Sequence, residues 1–206
     1  MLSIINSSNN KSTQLREGTL LIVKGATWDD YWNLSTEDLK VEYIEEMLYI
    51  HSPASVGHEK IFGEVYFELK QFIKQRNKGI ILGSRFPILL KDGKRAEPDI
   101  VFISNKEINK GNLTETIFKG TPSLIVEIVS PSYRDHDTVT KLQQYKELGV
   151  EEYWIIDPEL LEINQIQFSN NEIKNNKTLK TGIITPFIED LNDFSINLDH
   201  IWELLS

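Results

Sequence analysis

The sequence predicts an α/β (α+β) fold in which a mixed central β-sheet is flanked by helices. Three observations carry this. From Val56 to Arg76, Ile61, Phe62, Val65, Leu69, Phe72 and Ile73 keep an i, i+3/i+4 spacing, the period of an amphipathic helix. Short apolar segments follow, GIILGS, FPILL and AEPDIVFIS, the last two joined by the turn KDGK, as in a strand meander. Then PSLIVEIVS, a helical stretch from about Asp137 to Leu148, and EEYWIID repeat strand, helix and strand, the pattern of a crossover connection.

The remaining elements are shorter. TWDDYWNLS sets a threonine before acidic residues, the chemistry of an N-cap and first turn, and predicts a helix at about Trp28 to Leu34. VEYIEEMLYIH alternates as a hairpin does, with Glu45 and Glu46 near its turn. LEINQIQFSNNEIKNNKTLKTGIITPFI reads as polar edge strands around an Asn/Lys turn, and LDHIWELL as a terminal helix. The polar, Asn- and Ser-rich residues 1–17 are expected to form a loose tail, and residues 18–206 a single domain.

Composition narrows the function. With no cysteine, the chain has no disulfide, thiol nucleophile or Cys-based zinc site, and a reducing cytoplasm is the expected location. No apolar run approaches the ~20 residues that span a bilayer, so no membrane partner is expected. A net charge of −9 argues against broad adhesion to nucleic acid, which rests on a basic footprint. Local positive surface is still available: Lys60, Lys70 and Lys74 share one side of the long helix, and Lys91, Lys94 and Arg95 crowd a turn. Ordinary solvated lysines are the simpler account of both.

Two carboxylates break the apolar pattern. Asp99 stands at the mouth of the strand in EPDIVFIS, and Glu127 lies within LIVEIVSPS on the face shared with Ile125 and Val129. If the two strands are neighbours, the carboxylates converge, and their repulsion calls for a cation or a shared proton. The following helix adds Lys141 on the same face as Leu142, Tyr145 and Leu148, with Asp137, Lys141 and Tyr145 along one ridge. A lysine stem covering apolar surface, its ammonium reaching water, competes with a functional role there.

Together EPDIVFIS, LIVEIVSPS, DTVTKLQQYKELGVEEYWIIDP and VEYIEEMLYIHSPASVGHEK resemble the Uma2 family, whose fold is that of the PD-(D/E)XK restriction-endonuclease-like nucleases. The resemblance runs from about Trp28 to Ile201. It implies a DNA endonuclease dependent on Mg²⁺ or Mn²⁺, with Asp99 as the aspartate of the PD element and Glu127 as the second acidic residue. Both would hold the metal, with the backbone carbonyl of Ile128 as a further ligand. Val129 stands where the superfamily usually has lysine, and the resemblance assigns that part to Lys141, assisting the water or the transition state.

Glu42 matches an acidic position of the family's first hairpin, either in the metal shell or as a solvated strand residue. For His58, near the centre of the long helix's apolar face, a satisfied core histidine is favoured over a metal or water contact. Tyr145 is expected in the core or hydrogen-bonded to phosphate or Glu127. Asp157 is read as a turn residue, and Trp28, Trp32 and Trp154 as packing. A homodimer is expected, because paired nuclease sites cut duplex DNA. The competing function is a catalytically inactive nuclease-fold module that binds nucleic acid or protein; hydrolysis of another phosphoester is a third.

Overall fold

In the computed structural model, which describes residues 3–5, 12–14, 20–34, 40–51, 54–83, 86–130 and 134–206, the chain begins with β1 (Ser3–Ile5), β2 (Ser12–Gln14), β3 (Leu20–Lys24) and α1 (Trp28–Leu34). The hairpin β4 (Val41–Ile44) and β5 (Met47–His51) leads to α2 (Val56–Arg76). Next come β6 (Gly79–Gly83), β7 (Ile88–Leu89), β8 (Arg95–Ala96), β9 (Ile100–Ser104), the single turn α3 (Asn105–Ile108) and β10 (Leu124–Ile128). A π-helical turn, His136–Lys141, runs into α4 (Leu142–Leu148). The chain closes with β11 (Glu152–Asp157), β12 (Glu162–Ser169), β13 (Glu172–Leu179), β14 (Ile183–Ile184), β15 (Ile196–Asn197) and α5 (Leu198–Glu203).

The larger sheet has the order β13-β12-β11-β10-β9-β6 and the smaller β3-β5-β4-β8-β7. In the larger sheet β10 and β11 pair in parallel and the other ladders are antiparallel, so the predicted mixed sheet is present and its parallel pair flanks the crossover helix. Alternation along the central strands separates two cores. Ile100, Phe102, Leu124 and Val126 pack on α2 through Ile61, Val65, Leu69 and Ile73. Val101, Ile103, Ile125 and Val129 face the other way, toward Tyr145. The two helices therefore cover opposite faces.

Local chemistry fixes the ends of these elements. The Ser55 hydroxyl accepts the His58 N–H at the start of α2, and Asn77 ends the helix in the left-handed region at φ 49°, where asparagine is tolerated. Glu45 and Glu46 turn the β4–β5 hairpin, and Asn170 and Asn171 the β12–β13 hairpin, all at positive φ, as tight hairpin turns demand.

Some expectations change. The apolar stretch AEPDIVFIS is not one strand: Arg95–Ala96 belongs to the smaller sheet and Ile100–Ser104 to the larger. Pro98 has no N–H to give a ladder, so the chain passes between sheets at Glu97, Pro98 and Asp99. Trp32 does not pack inside; it is 53% exposed, with the Arg95 guanidinium over its ring at 4.5 Å. Of the expected tail, β1 pairs antiparallel with β2, and the rest of 1–17 lies outside the described residues.

Gly79, at φ 151°, opens β6 opposite Ser104. A Cβ there would collide with the Ile103 carbonyl oxygen and lie 2.9 Å from the Ser104 Cα. Gly79→Ala is expected to lower unfolding free energy by about 2 kcal/mol or more in urea titration; an unchanged midpoint would contradict this packing.

Candidate active site

The antiparallel register pairs Val126 with Ile100 and Ile125 with Val101. Continued one residue, it sets Glu127 across from Asp99, both on the face that looks toward α4. Asp99 is buried, and its two oxygens are used differently. Oδ2 accepts the Ile128 N–H at 2.9 Å and lies 3.1 Å from His58 Nε2. Oδ1 accepts from Lys40 Nζ at 2.8 Å. Glu127, also buried, accepts the Tyr145 hydroxyl at 2.7 Å through Oε1, which is 3.1 Å from Lys141 Nζ.

Lys141 does not reach for water. Its side chain is 1% exposed, and Nζ lies 3.3 Å from Glu42, 3.1 Å from Glu127 and 3.1 Å from Asp137. Glu42 comes from the smaller sheet. It accepts the Glu97 N–H through Oε1 at 3.1 Å, and its Oε2 lies 3.1 Å from His136 Nε2. The His136 ring stacks on Tyr49 with centroids 4.2 Å apart. Glu97, two residues before Asp99, accepts the Tyr31 hydroxyl at 3.1 Å.

The cluster's charges do not balance. Among the described residues, five carboxylates, Glu42, Glu97, Asp99, Glu127 and Asp137, lie with two ammonium groups, Lys40 and Lys141, so acidic groups outnumber basic ones. Burial alone would raise the Asp99 carboxyl, but Lys40 and then His58 hold it well below the usual carboxylate range. Glu127 goes the other way: burial raises it, Asp99 and Asp137 add to that, and Lys141 and Lys40 oppose. Burial disfavours both ammonium ions, yet Asp99 raises Lys40, and Asp137, Glu127 and Glu42 raise Lys141. Burial likewise lowers His58, and Asp99 outweighs it to raise the imidazole.

The structure brings Asp99, Glu127, Lys141, Glu42, His58 and Tyr145 into one cluster. Glu42 is fully buried and not a solvated strand residue. His58 is not satisfied in the apolar core; at the first turn of α2 its ring meets Asp99. Tyr145 is both core and hydrogen-bond donor. Ile128 contributes its N–H to Asp99.

Sequence reasoning missed Lys40, Glu97 and His136 as members. For one of these the signal was present: Lys40 shares a face with Glu42 by strand period two; Glu97 lies where the chain passes between sheets, and no strand period gives its direction. His136 was hidden because 100° per residue puts it about 140° from Lys141, whereas the π turn brings them to one side.

The donor chemistry suits a hard divalent cation: carboxylate oxygens with surplus negative charge. Among the described residues, no three carboxylate or imidazole groups surround a common point at coordinating distance. Lysine ammonium groups meet Asp99 Oδ1 and Glu127 Oε1 instead, marking where positive charge is accepted.

Glu97, only 2% exposed, is raised to about 7 by burial and then by Glu42, against Lys40 and the Tyr31 hydroxyl. A raised acid stabilises the fold below its unfolded pKa near 4.5 and loses that contribution as pH climbs through 7. Glu97→Gln is therefore expected to flatten the fall in stability between pH 5 and 8 by on the order of 2–3 kcal/mol. Thermal melts across that range check it; parallel wild-type and variant curves would refute it.

A family model described as "Putative restriction endonuclease", Uma2, matches residues 28–192. No curated protein matches the chain. Among solved structures, a protein described as "a putative nuclease belonging to DUF820" from Anabaena variabilis ATCC 29413 superposes with a TM-score of 0.72 at 16% identity, covering 86% of this chain and 98% of that one. At that identity the likeness is one of fold. The family match spans most of the chain and includes the strands and helices that carry Asp99, Glu127 and Lys141, and on it the chain belongs to the Uma2 family.

Proposed function

We propose that the cluster is the active site of a metal-dependent endonuclease that hydrolyses DNA phosphodiester bonds. The observation that carries this reading is the cross-strand pair Asp99 and Glu127, each met by a lysine ammonium. Restriction-endonuclease-like families generally use a divalent metal, and Asp99 and Glu127 would hold Mg²⁺ or Mn²⁺ here, with the Ile128 carbonyl as a further oxygen donor. When bound, such an ion supplies Lewis-acid stabilisation of the phosphate and a more acidic water. Asp99, kept ionised by Lys40 and His58, is the permanent anion of the pair. Lys141, 3.1 Å from Glu127 Oε1, favours its ionised form, so that this carboxylate and ammonium together would orient the attacking water. Tyr145 fixes the Glu127 rotamer through its 2.7 Å hydrogen bond, and Glu42 holds Lys141 in place.

In this reading residues 18–206 work as one domain, the protein is a cytoplasmic homodimer, and DNA is the substrate. No described helix is long and apolar enough to cross a membrane. A second reading, a catalytically inactive nuclease-fold binding module, draws on the enclosure of Lys141 at 1% exposure among three carboxylates, since such an ion cluster also serves to lock elements together.

Plasmid and single-stranded DNA incubated with Mg²⁺ or Mn²⁺, beside a chelator control, distinguish the two. Asp99→Asn and Glu127→Gln are expected to lower cleavage by about 10²–10³-fold while remaining folded; no metal-dependent cleavage by the wild type would favour the binding module, and wild-type rates in both variants would put any cleavage outside this cluster. Lys141→Met strips three carboxylates of their counter-charge and is expected to cost about 3–5 kcal/mol of stability, read by denaturant unfolding. A variant as stable as wild type would mean that the ion cluster contributes little to the fold.

A further inference from the structure

The two lysines of the cluster are not equivalent. Lys141 is enclosed, 1% exposed, with three carboxylate partners. Lys40 is 19% exposed and pairs with Asp99 at 2.8 Å. It stands immediately before β4, on the face shared with Glu42, so its stem enters the cluster from the solvent margin.

Asp99 is built to match. Its Oδ2 is held by two donors fixed in regular structure, the Ile128 N–H at the end of β10 and His58 in the first turn of α2. Its Oδ1 takes its hydrogen bond from a flexible lysine. One oxygen is thus anchored to the frame, and the other is held by a group able to leave toward water.

Resting on the nuclease reading above, we propose that Lys40 is a displaceable counter-ion: it neutralises Asp99 through Oδ1, yields that oxygen to a divalent cation, and then turns its ammonium to the phosphate of a bound nucleic-acid strand. The exchange is electrostatically reasonable, because a divalent ion offers the same carboxylate twice the charge. Leaving costs Lys40 its ion pair with Asp99 and weaker attraction to Glu127 and Glu42, whereas Lys141 would have to abandon three close buried pairs. The freed ammonium stands at the solvent margin, where a phosphodiester backbone would approach and where a lysine supplies sequence-independent affinity. An acidic chain of net charge −9 gains from keeping such a cation at the site itself.

Calorimetry with Mn²⁺ alone, on wild type, Lys40→Met, Lys40→Arg and Asp99→Asn, tests the displacement without any turnover. Removing the competing charge is expected to tighten Mn²⁺ binding by about tenfold in Lys40→Met, with Lys40→Arg near wild type and Asp99→Asn losing the site. In fluorescence anisotropy with Ca²⁺ present, a short oligonucleotide is expected to bind Lys40→Met about three- to tenfold more weakly than wild type. Equal Mn²⁺ affinity in wild type and Lys40→Met, with binding lost in Asp99→Asn, overturns the role of Lys40 and leaves the nuclease reading intact. Mn²⁺ binding untouched by Asp99→Asn overturns both. Tighter Mn²⁺ binding with unchanged oligonucleotide affinity overturns the phosphate contact. Should Lys40→Met fail to fold, Lys40→Gln keeps a donor for Oδ1 without the charge and makes the same comparisons.

Discussion

One buried ammonium group, Lys141 Nζ, joins the parts of this protein that form the candidate site. Its partners come from three places: Glu42 from the smaller sheet, Glu127 from the larger, and Asp137 from its own helical turn. A buried charge is tolerable only with close, well-placed partners, so the ion sets how the two sheets and the crossover helix meet. The π turn is part of the same requirement. Its wider winding brings His136 to the Lys141 side of the helix, where Asp137, four residues from Lys141, stands in either winding, and His136 then closes on Glu42 and stacks against Tyr49. In an α-helix His136 would face elsewhere and its contact with Glu42 would be lost.

From this anchoring follows a division of labour between the facing carboxylates. Asp99 sits beside Lys40, His58 and a backbone N–H and is pushed down, while Glu127, deeper and nearer Asp137, is pushed up. Pairs of acids driven apart in this way are suited to different tasks in one reaction. The separation arises from placement alone. Both residues lie at the same level of neighbouring strands, but Asp99 is at the first position beyond a strand end, open to the Lys40 side, and Glu127 is inside the strand under Tyr145.

Much of the fold was legible because local and long-range signals agree. The helix over Val56 to Arg76 follows from spacing and ends where Asn77 and Gly79 permit, and the short helix at Trp28 to Leu34 follows from its N-cap. The site was legible where a charged residue broke an apolar run, as at Asp99, Glu127 and Lys141. Membership of two sheets was not. Nothing in AEPDIVFIS marks which half pairs with which sheet, because Pro98 signals a break without naming the next partner. Lys40 and Glu97 were hidden differently: each is one charged residue among many, Lys40 informative only through its place two before Glu42, and Glu97 standing between strands where no period gives its direction. Trp32 shows the opposite error, since a tryptophan read as packing stands on the surface over Arg95.

The departures from ordinary packing are concentrated rather than scattered. The facing carboxylates Asp99 and Glu127, an enclosed lysine, a π turn and a buried acid raised to about 7, Glu97, fall within one contiguous cluster, whereas Glu152, another buried strand carboxylate, is satisfied elsewhere by Trp154, Gln165 and two backbone N–H groups. Structural locking accounts for Lys141, whose three partners draw separate elements together. It accounts poorly for Asp99 and Lys40. Their pair lies toward the solvent margin, where an apolar pair would close the seam between the sheets without desolvating a carboxylate. A carboxylate kept ionised at that cost, with one oxygen anchored and one held by a mobile cation, is better explained by what it is free to bind than by what it holds in place.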